Sequence, residues 1–173
     1  DHFSPHPDIV SARLSTLAKL SSIESGIIVT TIEALSQRIC PRDFINKYSL
    51  RLQKNQTLVI DSFIEKLVKF GYRRVTTVME QGEFSLKGAL IDMYPMGAKT
   101  PYRIDLFDNE IDTIRSFDPS SQRSIEVIDE IQLLPAREFA SDKASIDTFK
   151  KNYLSEFGNS DGFIYTEVSE GRY

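Results

Sequence analysis

One stretch of alternating side chains decides the fold of this chain, and it reads Tyr102-Arg103-Ile104-Asp105-Leu106-Phe107-Asp108-Asn109-Glu110-Ile111-Asp112-Thr113-Ile114-Arg115. Asp108 and Asn109 both tolerate a positive φ, so they predict a two-residue turn between two strands. The turn sets a register whose facing pairs are Phe107 with Glu110, Leu106 with Ile111, Asp105 with Asp112, and Arg103 with Ile114. The stretch therefore predicts an antiparallel β-hairpin.

Side-chain alternation divides this hairpin into a core face and an outer face. The core face is predicted to hold Tyr102, Ile104, Leu106 and Ile111, and the outer face Arg103, Asp105, Phe107, Glu110 and Asp112. Asp105 opposite Asp112 is a like-charge pair that destabilises the sheet unless a cation lies close, and Arg103 and Lys87 are the candidates. Phe107 beside these cations indicates a protein-binding hot spot. That another segment of the chain covers Phe107 is the open alternative.

The residues before the hairpin predict the rest of one α+β domain. A helix is expected from a cap at Asp61 to a stop at Gly71, with a core face of Phe63, Ile64, Leu67 and Val68. Strands are expected at 73–79, 83–87, 89–93, 102–107 and 110–117. The fold class is therefore α/β of the α+β kind, a mostly antiparallel sheet with one helix packed across it.

The two ends of the chain predict parts of a second, incomplete α/β layer. A helix is expected from Pro7, a strand covered on both faces at 27–31, and a helix at 32–39. A half-buried strand at 49–53 opens the central domain. Behind it, a strand at 125–134 and a helix capped by Ser141 are expected to return to the first layer, the helix with one face of Ile146, Phe149, Tyr153 and Phe157.

Composition narrows the class of protein. The 173 residues carry a net charge of −4, with a pI of about 5.3, which speaks against a dedicated nucleic-acid binder. Cys40 is the one cysteine, so no internal disulfide is expected and a reducing cytoplasm fits. No apolar run reaches the length of a membrane span, and no membrane contact is expected.

The residue patterns predict no catalytic, cofactor or metal site. No glycine-rich phosphate loop occurs, and Pro5 breaks the helix that would pair His2 with His6 on one face. Cys40 has no histidine near it in sequence. The remaining carboxylates are interpreted as a solvated face, and they are Asp92, Asp105, Asp108, Glu110, Asp112 and Asp118.

The strands also carry a family resemblance. Gly82-Glu83-Phe84-Ser85-Leu86-Lys87-Gly88, residues 101–112 and Leu133-Leu134-Pro135-Ala136-Arg137-Glu138-Phe139 together resemble the N-terminal module of the bacterial transcription-repair coupling factors, the Mfd family. They resemble the excision-repair helicase UvrB less closely. The resemblance covers essentially the whole chain, and it implies three parts: 1–47 like domain 1a, 48–125 like domain 2, and 126–173 like the start of domain 1b.

The resemblance implies a non-catalytic piece that binds UvrA and so recruits excision repair to a stalled RNA polymerase. The family's binding residues correspond to Arg103, Phe107 and Lys87, where lysine replaces an arginine and loses its planar fork. Asp105, Glu110 and Asp112 are candidate supporting residues. ATP and magnesium belong to the motor of the longer proteins, and contacts with RNA polymerase and DNA are expected outside these residues.

Two other functions stay open. The chain is a DNA-binding fragment of a UvrB-like helicase if Arg73 and Arg74 contact phosphates, although the DNA-clamping hairpin expected after 27–31 is missing. It is an intramolecular, autoinhibitory contact surface if another domain of the longer protein covers the outer face.

Overall fold

The computed structural model describes residues 6–20 and 22–171, so the pairing considered for His2 lies outside the described residues. It contains two compact units, one ending at Glu138 and one beginning at Phe139. The three-part division at 47 and 125 stays a prediction. No helix among the described residues is long and apolar enough to cross a bilayer.

The helices and strands of the first unit alternate along the chain. They are α1 (Pro7–Leu20), α2 (Ile32–Ser36), α3 (Arg42–Lys47), β1 (Leu50–Gln53), α4 (Ile60–Lys69), β2 (Arg73–Arg74), β3 (Glu83–Lys87), β4 (Leu90–Tyr94), β5 (Tyr102–Phe107), β6 (Glu110–Phe117), β7 (Ser124–Ile128) and β8 (Glu130–Leu133). The second unit contains α5 (Lys143–Phe157) and α6 (Phe163–Ser169).

A six-stranded sheet in the order β2-β3-β4-β5-β6-β7 forms the centre of the first unit. Every neighbouring pair is antiparallel except β2 and β3, which confirms the predicted, mostly antiparallel α+β class. One face carries buried apolar side chains and packs with Phe63 and Leu67 of α4 in one core. The apolar side chains of that sheet face are Phe84, Ile91, Met93, Ile104 and Ile114.

The helix α4 follows the sequence prediction closely at its C-terminal end. Phe63 and Leu67 are one turn apart, so both face the core. Gly71 adopts φ +91°, and the amides of Gly71 and Tyr72 close the last turn on the carbonyls of Val68 and Leu67 at 3.0 and 2.9 Å. This is a Schellman motif, which confirms Gly71 as the helix stop.

A second, two-stranded sheet pairs β1 with β8, with Leu50 opposite Leu133 and Leu52 opposite Ile131. Because Leu52 and Leu133 are fully buried, this small sheet belongs to the same core as the large one. Leu14 of α1 also joins that core. The amide of Gly97 donates to the Ser11 hydroxyl at 2.7 Å, which ties α1 to the loop after β4.

The expected buried strand at 27–31 is wrong. These residues form no strand, and Ile27 and Val29 are 93% and 91% exposed. A strand needs a neighbour to receive its backbone hydrogen bonds, and neither sheet of the described residues contains one for this run. The helix after it is shorter than the expected 32–39: it begins behind a Thr31 cap and ends at Ser36.

Several expected element limits also require correction. The strand expected at 73–79 is paired only at Arg73 and Arg74, and the strand expected at 125–134 is two strands, β7 and β8. α4 begins at Ile60 without a side-chain cap, so Asp61 is a first-turn residue. Val68 is 57% exposed, since it lies beside the core face of α4.

The second unit is a pair of helices joined by aromatic contacts. Tyr153 lies 5.6 Å from Phe149, 4.6 Å from Phe157 and 5.3 Å from Tyr165 between ring centroids, which confirms the predicted aromatic face of α5. The cap is Asp142, whose carboxylate accepts from the Ser145 amide at 3.0 Å, and not Ser141. The expected return of this segment to the first layer stays a prediction.

Candidate protein-docking site

The β5–β6 hairpin turns at Asp108 and Asn109 as predicted, and residues 107–112 form its tip. The strand register shifts between Leu106 and Asp105. Phe107 pairs with Glu110 and Leu106 with Ile111, whereas Asp105 pairs with Thr113. Asp112 is the extra residue of a β-bulge and has no pairing partner on β5. The predicted Asp105–Asp112 and Arg103–Ile114 pairs are therefore wrong, and Arg103 lies opposite Arg115 instead.

The bulge removes the like-charge pair and gives Asp105 two partners on β6. The Thr113 hydroxyl donates to the Asp105 carboxylate at 3.1 Å, and the Arg115 guanidinium forms an ion pair with the same oxygen. The cation that balances Asp105 is thus Arg115. Arg115 was not predicted as this cation, because the expected register placed it opposite Tyr102 on the core face.

Arg103 is engaged on the outer face rather than presented to solvent. Its Nε and Nη2 atoms donate to the two carboxylate oxygens of Asp92 at 2.7 and 2.9 Å, and its Nη1 donates to the Gln122 carbonyl at 3.1 Å. The guanidinium also lies 4.7 Å from the Phe117 ring centroid. The hydrogen bonds from Arg103 to Asp92 raise the pKa of the guanidinium. Asp92 is 2% exposed, so its expected solvation is wrong.

A loop crosses part of the outer face. The hydroxyl of Ser85 donates to the Thr76 carbonyl at 3.1 Å, and the Gln122 side chain donates to the Val78 carbonyl at 3.1 Å. Val78, a residue of this loop, is fully buried. Residues 76–79, which were expected to continue the strand that begins at Arg73, therefore cover the sheet instead of joining it.

Glu83 fixes the end of that loop. Its carboxylate accepts from the amides of Met79 and Glu80, both at 2.9 Å, and from Arg73 Nη2 at 2.6 Å. Burial on its own raises the pKa of Glu83, but these hydrogen bonds and the charge of Arg73 outweigh it, so the pKa is lowered. The carboxylate therefore stabilises the loop in its charged form.

Phe107 stands outside this covered region. Its side chain is 75% exposed, so no segment of the described chain covers it. The tip that carries it is held firmly by the chain before α4. Leu58 donates its amide to Asn109 at 2.7 Å, Asn55 donates to Ile111 at 2.8 Å, and the Ile111 amide returns to Gln56 at 2.9 Å.

Carboxylates surround Phe107 at the tip. A shallow recess of about 460 Å³ beside it is lined by Thr57, Phe107, Asp108, Asn109, Glu110 and Asp112. Asp108, Glu110 and Asp112 are all exposed, and Asp108 holds the turn with φ +55°. Lys87 is exposed at the end of β3, in one row across the sheet with Leu90 and Asp105. The tip thus presents one aromatic ring among three acidic side chains.

Comparison with known proteins identifies the family of the domain that contains this hairpin. The family profile described as the UvrB interaction domain matches residues 50–139. The chain belongs to the UvrB interaction domain family. The matched range begins at the first residue of β1 and ends beside the boundary between the two units. The UvrB interaction domain of this chain therefore contains both sheets, α4 and every candidate docking residue.

Known proteins with similar sequences include transcription-repair-coupling factors of several bacteria. The chain is 44% identical to that of Escherichia coli over 173 residues and 42% identical to that of Haemophilus influenzae over 174, in each case 99% of this chain. It is 38% identical to that of Staphylococcus epidermidis over 133 residues. The chain spans about 15% of the length of the first two relatives and matches a segment of each.

Proposed function

We propose that this chain docks UvrA through the tip of the β5–β6 hairpin, and so brings excision repair to a transcription-coupled site. The observation that carries the proposal is Phe107, a large aromatic that is 75% exposed on a turn fixed by backbone hydrogen bonds. A preorganised aromatic anchor loses little entropy on binding, which is typical of a hot spot. The UvrB interaction domain family and the resemblance to coupling factors support this partner.

The other two candidate residues act differently in this proposal. Lys87 is exposed and available for a direct contact with the partner. Arg103 donates three of its N–H groups within the chain, so its main part is to hold β5 in place through Asp92 and Gln122. Loss of UvrA binding on substitution of Arg103 therefore has to be separated from loss of the local fold.

Calorimetric titration with purified UvrA tests the proposal. Phe107→Ala is expected to weaken binding by about tenfold or more, because a hot-spot aromatic contributes on the order of 2 kcal/mol. Phe163→Ala is the matched control, since Phe163 is 63% exposed on α6 of the second unit. Equal affinity of wild type and Phe107→Ala, with both proteins folded, contradicts the proposal.

The two charged candidates need their own variants. Lys87→Ala tests a direct contact, because an exposed lysine at the end of β3 is removable without loss of packing. Arg103→Lys keeps the charge and loses the fork that grips both Asp92 oxygens. If Arg103→Lys weakens folding and UvrA binding together, whereas Lys87→Ala affects binding alone, the roles proposed here are supported.

The alternative of DNA binding has less support. Arg73 forms ion pairs with Glu83 at 2.6 Å and Glu80 at 3.7 Å, so the basic pair proposed to contact phosphates is partly neutralised. A mobility-shift assay at low salt tests this function, and a shift at micromolar protein supports it.

The intramolecular alternative has the same exposed Phe107 in its favour. Comparing UvrA affinity for this chain and for a full-length coupling factor tests it, because masking by another domain weakens binding only in the longer protein.

A further inference from the structure

The charges on the outer face of the first unit divide into two groups. Away from the tip, three arginines are paired within the chain: Arg103 with Asp92, Arg115 with Asp105, and Arg73 with Glu83. At the tip, the recess beside Phe107 is lined by three carboxylates, and no lysine or arginine is among its lining residues. The side chains that line this recess therefore carry negative charge, and the exposed Lys87 at the end of β3 is not among them.

The β-bulge contributes to this charge. Asp112 is the extra residue of β6, so it has no cross-strand partner position and its side chain is exposed. Without the bulge, Asp112 would face Asp105 across the hairpin, and Arg115, three residues further along β6, would point to the opposite face of the sheet. The bulge thus leaves Asp105 to the internal ion pair and Asp112 to the recess beside Phe107.

We propose that the partner surface that receives this tip is an apolar socket for Phe107 with a rim of lysine or arginine side chains. The inference rests on the proposed function and specifies the chemistry of the partner's side of that contact. Apolar surface alone is the complement of the Phe107 ring, and positive charge is the complement of Asp108, Glu110 and Asp112. An acidic rim on the partner would meet three like charges and would be repelled.

The two parts of this contact affect different rate constants. Exposed rim charges accelerate diffusional encounter and are screened by salt, so they determine the association rate. A ring seated in a socket is released slowly, so Phe107 determines the dissociation rate. A contact of the proposed kind therefore shows separate effects for charge and for ring.

Stopped-flow binding of UvrA to the folded chain tests the inference at several salt concentrations. The tip variant is Asp108→Asn with Glu110→Gln and Asp112→Asn, where asparagine at 108 tolerates the positive φ of that turn position. It is expected to associate about tenfold more slowly at low ionic strength, with the difference vanishing at high salt. The dissociation rate is expected to change by less than about threefold.

A charge-matched control removes three other exposed carboxylates by Glu24→Gln, Glu33→Gln and Glu65→Gln. It alters the net charge by the same amount and leaves the tip intact, so it is expected to retain most of the wild-type association rate. An equal slowing in this control would overturn the inference, since the effect would then follow net charge alone.

The outcomes separate the two proposals. If wild type binds UvrA and the tip variant associates equally fast or faster, the receiving surface is not basic and this inference fails, while docking through Phe107 stands. If Phe107→Ala binds as tightly as wild type, docking through the tip fails, and the inference fails with it. If the tip variant associates more slowly and with less salt dependence, and the charge-matched control does not, both the docking proposal and this inference are supported.

Discussion

Arg103 and Phe107 lie four residues apart on β5, on the same face of the sheet, yet their surroundings differ. Arg103 is held by Asp92, Gln122 and the Phe117 ring, and its side chain is 17% exposed. Phe107 is 75% exposed, and the turn beside it is held by backbone hydrogen bonds. At the scale of single residues, Arg103 is suited to stabilising the outer face, and Phe107 is suited to contacting a partner.

Removing the Arg103 side chain is expected to destabilise the first unit. Arg103→Ala leaves the carboxylate of Asp92, which is 2% exposed, without its cation, and such a loss costs about 3–5 kcal/mol. Urea unfolding followed by a probe in the first unit measures the change. The double variant with Asp92→Leu and Arg103→Leu is expected to recover part of the loss, because it removes the unpaired charge. A loss below about 1 kcal/mol for Arg103→Ala would contradict this structural role.

Glu83 is expected to make the stability of the first unit depend on acid pH. Its folded pKa is lowered below that of the unfolded chain, so its contribution is present above about pH 4.3 and is lost as pH falls through the folded pKa. Wild type should therefore lose more stability between pH 6 and pH 3 than Glu83→Gln does. Unfolding midpoints across that range give the comparison, and parallel curves for the two proteins would exclude a contribution from Glu83.

At the scale of elements, alternation and turn chemistry predict most of the central domain. The β5–β6 turn, the faces of β5 and the stop of α4 at Gly71 follow from local rules, because each depends on residues adjacent in sequence. The bulge at Asp112 was not predicted from the two-residue turn alone. Ile111 and Ile114 are three residues apart, and both are fully buried because the extra residue returns Ile114 to the core face. The outward position of Phe107 was predictable from alternation. The hydrogen bonds from Arg103 to Asp92 and Gln122 were not.

Errors elsewhere have a common physical cause, which is the dependence of strands on distant partners. Residues 27–31 have the β-branched composition of a strand, but no described strand pairs with them. Residues 76–79 have a similar composition and cover the outer face instead, and Val78 among them is fully buried. Composition shows that such a run fits a strand, whereas its pairing depends on residues far away in sequence.

Gly71 is expected to be the position where the C-terminus of α4 tolerates substitution least. Its φ of +91° disfavours any side chain, and a Cβ there would lie 2.7 Å from Cγ of Arg137. Gly71→Ala should therefore cost about 1–2 kcal/mol. Gly88→Ala is a useful contrast in urea unfolding, since Gly88 has φ +63° but no atom within 4 Å of an added Cβ. If the two substitutions cost the same, the contact with Arg137 adds nothing to the backbone strain.

At the scale of the whole chain, the apolar surface is distributed unevenly. The core of the first unit includes fully buried side chains from both sheets and α4, such as Leu52, Ile104 and Leu67 at 0%, 0% and 1% exposure. In contrast, seven large apolar side chains between residues 23 and 39 are at least 49% exposed: Ile23, Ile27, Ile28, Val29, Ile32, Leu35 and Ile39. Such a concentration of exposed apolar residues favours association.

The chain is therefore expected to self-associate as its concentration rises, through these residues rather than through the hairpin tip. Ile27→Ser with Val29→Ser should shift sedimentation toward monomer, because it replaces two of the most exposed apolar side chains. Each substitution should change the unfolding free energy by less than about 0.5 kcal/mol, since neither residue packs in the core. Phe107→Ala is the control, because it removes an exposed ring from a different surface. Equal association of wild type and the serine variant would show that residues 23–39 do not drive it, and a shift with Phe107→Ala instead would assign it to the tip.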